Sequence, residues 1–334
     1  MPSPQVRPRL EDVAARAGVS TASASLVLRG KPGPGARTRE AVLEAAHELG
    51  YRADRTASLL ARRRTQLLGV TMDVSSAFHA ELLEDVHAAA DRRGYDVVVS
   101  PVTRTHGEGR AIETLLDFRC EALLLLGASM PEAELATIAG QHAVVAVGRR
   151  LAVSGVDVVR AADDVGVGLA VEHLVGLGHR SIAFVDGPRG PIATLRRQGY
   201  RQAVRRLLGP DAVQVVAGGG TEEDGARAAA ALEASAPTAV VAFNDRCALG
   251  VLDRLRRDGI RVPEQVSVVG YDDSPLARLG TVDLTTVSQS PQAMAEAAVA
   301  AAVERLEGAR TEHIDVVLEP HLVVRGTTAP PPAA

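Results

Sequence analysis

Polar side chains follow several strand-like segments of this chain, where groups of this kind could hold a hydroxylated ligand. They are Asp73, Asn244, Asp245, Asp272 and Asp273, and Arg196 lies in the helical segment after another such strand. In open parallel sheets, ligands bind beyond the carboxyl ends of the strands. A carboxylate, a guanidinium group and an amide together suit the hydroxyls of a sugar or a nucleoside.

Each of these polar residues also has a structural interpretation, which the sequence leaves open. Asp245 is better placed to cap the start of a helix than to contact a ligand, and Asp273 could cap a turn. Arg197, beside Arg196, is expected to be solvated. Arg196 and Asp272 could pair with each other across the cleft instead of binding a ligand.

The segments that would position these residues alternate between short apolar strands and helices beyond residue 66. The strand-like ranges are 67–71, 97–99, 123–126, 144–147, 181–185, 213–216, 239–243 and 266–269. Helical patterns lie near 80–93, 109–118, 132–139, 165–177, 194–208, 222–233 and 248–258. This alternation predicts an α/β body with two doubly wound lobes of parallel sheet and a ligand site in the cleft between them.

The first 65 residues form a basic head on this acidic body. They carry twelve Lys and Arg residues against six Asp and Glu residues, whereas the remaining chain carries 25 against 35. A basic segment of this kind typically approaches a polyanion. The motif inside the head indicates that the polyanion is double-stranded DNA.

Residues 10–28 contain two short helical patterns separated by a break at Gly18, as in a helix-turn-helix. Gly18 permits the positive φ that ends the first helix, Val19 fills the corner, and Ser20 is placed to cap the second helix. Ala24, Val27 and Leu28 would be buried. Short side chains on the outward face suit close contact with the major groove, and the candidates for DNA contact are Thr21, Ala22, Ser23 and Ser25.

A third amphipathic helix at 37–49 completes the small all-α head, with Val42, Ala45 and Leu49 facing inward. Gly35 stands before it, where Ser or Asp would fix the start of the helix better. The first two helices alone could be an ordinary packed pair, but three short basic helices favour a DNA-binding domain.

Four strings of residues occur together in the head: Asp12-Val13-Ala14, Ala17-Gly18-Val19-Ser20, Thr38-Arg39-Glu40 and Glu48-Leu49-Gly50-Tyr51. They resemble the DNA-binding head of the lactose-repressor/galactose-repressor family of bacterial transcription regulators, and the resemblance continues through nearly the whole chain. It implies a hinge that folds on DNA and brings Ala57 and Leu60 to the minor groove, where the leucine wedges between base pairs. Leu59 and Leu60 could instead be a linker pair that packs on the body.

The resemblance also implies a domain organisation. Residues 1–50 would bind DNA, 51–65 would be the hinge, and 66–326 would be a two-lobed effector-binding and dimerisation domain of the periplasmic-binding-protein type. The segments 291–307, 314–318 and 321–324 would cross back to complete the lobes, and the proline-rich tail 327–334 is expected to be disordered. A homodimer would read a palindromic operator, and repression is favoured over activation.

The dimer seam is expected near Leu82, Leu83 and Val86, although packing of their helix on its own sheet explains the same residues.

Several residues depart from the family's common pattern in the head. Leu26 stands where an arginine is common, Arg29 replaces an asparagine, and Ala53-Asp54 replaces a Pro-Asn pair. Arg29 adds a charge and is counted among the DNA contacts, so the operator sequence is expected to differ. The arginines at 62–64 could contact phosphates or belong to a solvated linker.

In that family, the positions that match Asp73, Phe78, Arg196, Asn244 and Asp272 face the effector. Gly148-Arg149 stands where an acid is common, Ala162-Asp163 marks another departure, and aromatic residues make up only 2% of the chain, with no tryptophan. Few rings are therefore available to stack on a sugar. Arg149 tilts the expected effector from a carbohydrate toward a phosphorylated metabolite, unless Arg149 is a surface residue.

Composition and motifs argue against several other classes. No apolar run approaches the roughly 20 residues that span a bilayer, and no secretory signal is apparent, so we expect a cytoplasmic protein with no membrane partner. Cys120 and Cys247 are isolated, and no metal-ligand spacing, cofactor motif or nucleophile elbow is present. We therefore expect no metal, no cofactor and no enzymatic activity. The alternative is a solute-binding protein with the same body fold.

Overall fold

The computed structural model describes residues 8–28, 32–51, 64–232 and 236–332. The chain divides into two compact units, Met1–Thr65 and Gln66–Ala334. The predicted DNA contacts Arg29, Ala57 and Leu60 lie outside the described residues, as does most of the expected hinge.

Three short helices make up the described part of the first unit: α1 (Leu10–Ala17), α2 (Thr21–Leu28) and α3 (Ala36–Glu48). Val13, Ala24, Val27 and Val42 are almost fully buried at their centre. The inward faces predicted for the second and third helices are thus confirmed. Because alanines occupy several of the contact positions, the helices can approach one another closely.

The ends of these helices follow the local chemistry that the sequence predicted. Gly18 adopts φ 66° and ends α1 in the left-handed conformation. The Ser20 hydroxyl accepts a hydrogen bond from the Ser23 backbone N–H at 3.1 Å and so caps α2. Gly35 is the N-cap of α3 and supplies no side-chain hydrogen bond to its first turn.

The second unit begins with a lobe built on a six-stranded parallel sheet. Its strands are β1 (Leu67–Asp73), β2 (Asp96–Val102), β3 (Ala122–Leu126), β4 (Ala143–Val147), β5 (Val156–Ala161) and β11 (Asp315–Leu318), in the order β11-β5-β4-β3-β1-β2. The helices of this lobe are α4 (Ala77–Asp91), α5 (Glu108–Asp117), α6 (Glu132–Ala139) and α11 (Pro291–Leu306). The central strands β3 and β4 are almost continuously buried, as parallel strands covered on both faces must be.

A second six-stranded sheet forms the other lobe, and His321–Val323 is its only antiparallel strand among the described residues. The strands are β6 (Ile182–Val185), β7 (Gln214–Val216), β8 (Ala239–Ala242), β9 (Ser267–Asp272), β10 (Thr285–Ser288) and β12 (His321–Val323), in the order β12-β10-β9-β8-β6-β7. The helices are α7 (Asp163–Gly176), α8 (Pro191–Leu207), α9 (Glu222–Leu232) and α10 (Asp245–Arg257).

The chain passes between the two lobes three times, after β5, after β10 and after β11. Helix α11 packs on the first lobe, β11 extends its sheet, and β12 returns to the second lobe. The predicted pair of doubly wound parallel lobes, with the last segment crossing back to complete them, is therefore confirmed.

Two strands, β5 and β10, were not predicted, because both carry buried polar residues that interrupt an apolar run. In β5, Asp157 is completely buried and accepts hydrogen bonds from Arg305 and Arg310. In β10, the Thr286 hydroxyl donates to Asp245 at 2.6 Å. Asp157 and Thr286 both have hydrogen-bond partners, so their burial does not destabilise these strands.

The expectation of a disordered tail is wrong for residues 327–332. Thr327 is buried and its hydroxyl donates to the Val268 carbonyl at 2.7 Å. The Ala329 N–H donates to the Ser267 hydroxyl at 3.1 Å. These bonds tie the tail to the start of β9, and a composition dominated by proline and alanine does not reveal them.

The residues suggested as a dimer seam belong instead to the core of their own lobe. Leu82 and Val86 are buried on α4 in the main cluster of the first lobe, and Leu83 packs against that cluster half-buried. The alternative of ordinary core packing therefore holds. Within the described part of the chain, no helix has both the length and the apolar character that a bilayer crossing requires.

Candidate functional site

A cavity of about 130 Å³ lies between the two lobes, beyond the carboxyl ends of the central strands. From the first lobe it is lined mainly by Phe78, His79, Leu82 and Val147, and from the second by Ile192, Arg196, Phe243, Asn244, Asp272 and Gln289. Four predicted effector residues are therefore brought together here: Phe78, Arg196, Asn244 and Asp272. Two others, Asp73 and Arg149, do not line the cavity.

Arg196 is the centre of the second-lobe wall. It projects from α8, and its Nε donates to Asp163 Oδ1 at 2.7 Å while its Nη1 donates to the Phe243 carbonyl at 2.6 Å. Its guanidinium lies 3.6 Å from the centroid of the Tyr271 ring, as in a cation–π contact. This side chain is 4% exposed, so the surrounding residues fix it almost completely.

The carboxylate nearest to Arg196 belongs to Asp163, whereas the sequence pointed to Asp272. Asp163, at the start of α7, takes the direct hydrogen bond, whereas Asp272 Oδ1 lies 3.6 Å from Arg196 Nη2. All three residues belong to the second lobe, so the anticipated pairing of Arg196 with Asp272 does not span the cleft. Asp163, which the sequence placed among the departures from the family's pattern, offsets the charge of Arg196.

Asp272 ends β9 in a strained backbone conformation with φ 114°. Its Oδ1 accepts a hydrogen bond from the Gln289 amide at 2.7 Å. Burial raises the pKa of Asp272 to about 7; Arg196 acts against this rise and the Asp245 carboxylate adds to it. The carboxyl group can thus accept or donate a hydrogen bond near neutral pH.

Asn244, and not Asp245, caps α10. The Asn244 Oδ1 accepts from the Cys247 N–H at 2.8 Å, and its Nδ2 donates to the Gly220 carbonyl at 3.2 Å. The prediction that Asp245 is the cap was wrong. Asp245 points into the lobe, where its carboxylate accepts from the Ser274 N–H at 2.7 Å, and burial raises its pKa to about 6.

His79 lines the cavity from the first lobe, although it was not predicted from the sequence. The Asp73 backbone N–H donates to His79 Nδ1 at 3.2 Å, so the neutral ring carries its proton on Nε2. Burial lowers the pKa of His79 to about 4, against the opposing effect of Asp73. The signal available was its position beside Phe78 in the first turn of a helix that Ser76 caps.

Asp73 and Arg149 have structural contacts that differ from their predicted role. Asp73 Oδ1 accepts from both the N–H and the hydroxyl of Ser75 at 2.8 Å, which orders the turn after β1. Arg149 is 9% exposed and its Nη1 donates to the carbonyls of Ala128 and Met130. Arg149 is therefore neither a cavity residue nor a surface residue.

Arg197 pairs with Asp186 at 2.5 Å, so it is not simply solvated. Asp273 binds Arg325 at 2.6 Å through its carboxylate, which anchors the turn after β9.

The head presents a second candidate site, at the start of α2. Thr21 and Ala22 are exposed, and Ser23 and Ser25 are half-buried. The Ser23 hydroxyl also accepts from the Ser20 hydroxyl at 3.0 Å. An exposed helix start with short side chains can approach base edges and phosphates closely.

The two cysteines do not line the cavity. Burial raises the pKa of the Cys120 thiol to about 11 and that of Cys247 to about 12, so both thiols stay protonated. Among the residues that the structure describes, no three His, Cys, Asp or Glu side chains cluster as metal ligands would.

Comparison with known proteins gives consistent matches for both units. Residues 9–54 match the lacI family of bacterial regulatory proteins, and residues 171–328 match a periplasmic binding protein-like domain. The chain is 36% identical to the HTH-type transcriptional regulator MalR of Streptomyces coelicolor over 340 aligned residues, which cover 97% of each protein.

Two solved structures are similar over nearly the whole length. The lac repressor dimer bound to operator and the anti-inducer ONPF has a TM-score of 0.81 at 27% identity, covering 97% of this chain and 100% of that one. The complex of the transcriptional regulator CelR with cellobiose has a TM-score of 0.67 at 32% identity, covering 96% and 100%.

Proposed function

The chain belongs to the lacI family and is a DNA-binding transcriptional regulator, and from this premise we propose that a neutral, hydroxylated metabolite in the interlobe cavity controls its binding to an operator. The family rests on the match over 97% of the chain to a helix-turn-helix regulator. The observation that carries the choice of ligand is the charge state of the cavity wall, where Arg196 is already paired.

An anionic effector needs a positively charged side chain whose charge is not already offset by a carboxylate. The predicted residues that line this cavity do not include one. Arg196 donates to Asp163 at 2.7 Å and lies near Asp272, so its charge is offset within its own lobe. Arg149, which favoured a phosphorylated ligand, is bound to backbone carbonyls outside the cavity. The charge balance therefore favours a neutral ligand over a phosphate.

The cavity offers groups that suit hydroxyls. His79 Nε2–H is a neutral donor on one wall, whereas Asp272 and Gln289 supply polar groups on the other. Phe78 and Phe243 supply apolar surface for the carbon face of a sugar ring. The similarity to a regulator solved with cellobiose supports a carbohydrate as the class of effector.

On DNA, we assign the major-groove contacts to Thr21, Ala22, Ser23 and Ser25. Arg29 adds a phosphate or base contact, and Ala57 and Leu60 act at the minor groove. The exposure of Thr21 and Ala22 at the start of α2 supports the first assignment.

The protein acts as a cytoplasmic homodimer on a palindromic site and represses transcription by occupying it, as the likeness to a repressor dimer on its operator supports. Residues 1–50 read DNA, 51–65 form the hinge, and 66–326 form a sensor without catalytic activity.

Thermal unfolding in the presence of a ligand panel tests the class of effector. Neutral sugars such as cellobiose, maltose, galactose and ribose are compared with glucose 6-phosphate and ribose 5-phosphate. We expect at least one neutral sugar to raise the melting temperature in wild-type protein and to have no effect in Asp272→Ala. Stabilisation by the phosphates alone would overturn the neutral assignment.

A further inference from the structure

Two arginines of the second lobe reach across the cleft and bind the first lobe. Arg246, in the first turn of α10, donates from Nη1 to the Ser75 carbonyl at 2.7 Å. Arg278, in the turn after β9, lies 2.8 Å from Glu81 Oε1 on α4. These are charge-assisted contacts between two bodies that must move apart whenever the cleft opens.

The Arg246 contact is fixed on both sides. On its own lobe, Arg246 binds both carboxylate oxygens of Glu222, at 2.8 and 2.6 Å. On the other lobe, Asp73 orders the turn that presents the Ser75 carbonyl, through two bonds of 2.8 Å. Asp73 therefore acts on the cleft through this turn, although it does not line the cavity.

The packing of α9 against α10 sets the geometry of the Glu222–Arg246 pair. A Cβ atom at Gly225 would collide with the Cys247 carbonyl, and one at Gly250 would collide with the Glu222 carbonyl. Only glycine allows the two helices to cross at this distance. Arg246 is consequently aimed at the first lobe by a rigid support and not by a flexible surface loop.

The Arg278 contact is supported in a similar way. Arg278 Nη2 also donates to the Asp273 carbonyl at 2.7 Å, and the Asp273 carboxylate is bound by Arg325 at 2.6 Å. The Glu81 side chain is 17% exposed and its Oε2 has no hydrogen-bond partner. Among the described contacts, Arg278 is the one cation that pairs with Glu81. Opening the cleft would separate them and leave the half-buried Glu81 carboxylate without a partner.

Both contacts adjoin residues of the cavity wall. Ser75 precedes Ser76, Glu81 precedes Leu82, and Arg246 follows Asn244 by two positions. The cavity they close measures about 130 Å³, whereas small-molecule sites are usually about 300–1,000 Å³. Widening the cavity by moving the lobes apart would break both contacts.

We propose that Arg246 and Arg278 form an interlobe latch that stabilises the closed arrangement of the two lobes and sets the energy needed to open the cleft. The latch rests on the proposed function in that it regulates the same effector cavity. The latch contributes to the equilibrium between closed and open lobes. A ligand changes that equilibrium only through its different affinities for the two states, so the latch sets the starting point from which a ligand acts.

Distance measurements on the ligand-free full-length chain test the latch without knowledge of the effector or the operator. Spin labels are attached at Glu134→Cys on the first lobe and Arg256→Cys on the second, both exposed positions, while Cys120 and Cys247 are buried. Pulsed electron paramagnetic resonance then reports the interlobe distance with the latch intact, and with Arg246→Gln and Arg278→Gln combined.

Labelled chains are mixed with an excess of unlabelled chains, so that a homodimer carries at most one labelled protomer. We then expect one narrow distance within that protomer in the intact protein. In the double variant, the ratio of open to closed molecules should rise at least about tenfold, the equivalent of one charge-assisted hydrogen bond. Arg206→Gln is the matched control, because Arg206 pairs with Glu172 within the second lobe at 2.5 Å. Glu222→Gln weakens the support of Arg246 without altering Arg246 itself, so it should raise the ratio of open to closed molecules by less. It replaces the double variant in this test if the double variant does not fold.

An unchanged distance in both the double variant and Glu222→Gln would overturn the latch, as would an equal change in Arg206→Gln. Cellobiose association, measured by stopped flow, gives a separate readout, and we expect a several-fold faster rate in the double variant. A complete failure of neutral sugars to bind would count against the proposed effector, whereas the distances would still decide the latch.

Discussion

The two walls of the cavity are built on different principles. The second-lobe wall is ionic: Arg196 and Asp272 line it, and the almost fully buried arginine also pairs with Asp163. The first-lobe wall is mainly apolar, with Phe78 and Leu82 buried and His79 as its neutral donor.

This difference divides the work between the lobes. The ionic wall is pre-formed by bonds within one lobe, so it can keep its geometry when the cleft opens. The apolar wall contributes surface that a ligand buries, and it receives the arginine contacts that close the cleft. Recognition is therefore assigned mainly to the second lobe, and closure to the contacts that second-lobe arginines make with the first lobe.

The largest expected effect comes from breaking the ionic wall. Arg196→Met leaves Asp163 and Asp272 buried without their cation, and we expect a loss of about 3–5 kcal/mol in the free energy of unfolding. Urea denaturation measures it. The matched control is Arg197→Met, whose 29% exposed side chain pairs with Asp186 and should cost less than about 1 kcal/mol. Equal losses in the two variants would contradict the division between the walls.

The apolar wall should lose stability in acid through His79. The folded pKa is about 4, below the ordinary value of 6.5, so the unfolded chain binds the proton first as the pH falls. Stability present above pH 6.5 is thus lost between pH 6.5 and pH 4. We expect His79→Gln to reduce this loss by roughly 2 kcal/mol between pH 7 and pH 4.5, measured by urea titrations at both pH values. An unchanged pH dependence would show that His79 is not neutral by burial.

The ionic wall should respond to pH in the opposite direction through Asp272. Its folded pKa of about 7 lies above the ordinary 3.8, so the folded protein holds the proton more tightly. Stability is therefore fully present below pH 3.8 and is lost as the pH rises toward 7. Asp272→Asn should flatten this part of the profile by up to roughly 4 kcal/mol, while Asp245, with a pKa of about 6, retains a slope of the same sign. A steeper profile in the variant would reverse the assignment.

The sequence predicted the fold well wherever one physical signal dominated. Apolar runs located strands such as β3 and β4, and the Gly18 and Ser20 positions located the turn and the cap between α1 and α2. The strands β5 and β10 were missed because their buried polar residues are satisfied by partners distant in the sequence. The tail was misjudged for the same reason, since Thr327 bonds to Val268.

The cavity could be predicted only in part from the sequence. Phe78, Arg196, Asn244 and Asp272 were found because they stand at strand ends or helix starts and match the family pattern. His79 was missed, since no spacing rule reveals that a backbone N–H fixes its tautomer. Arg149 was misplaced because a charged residue next to a glycine does not disclose that backbone carbonyls will bind it.

The most direct test of the whole account is DNA binding measured with and without a cavity ligand. A genomic fragment selected by the purified protein is labelled, and its binding is followed by fluorescence anisotropy against scrambled DNA. We predict preference for the selected fragment and a change of at least about fivefold in its affinity when a stabilising neutral sugar is added. Binding that shows no sequence preference, or that no cavity ligand alters, would contradict the account.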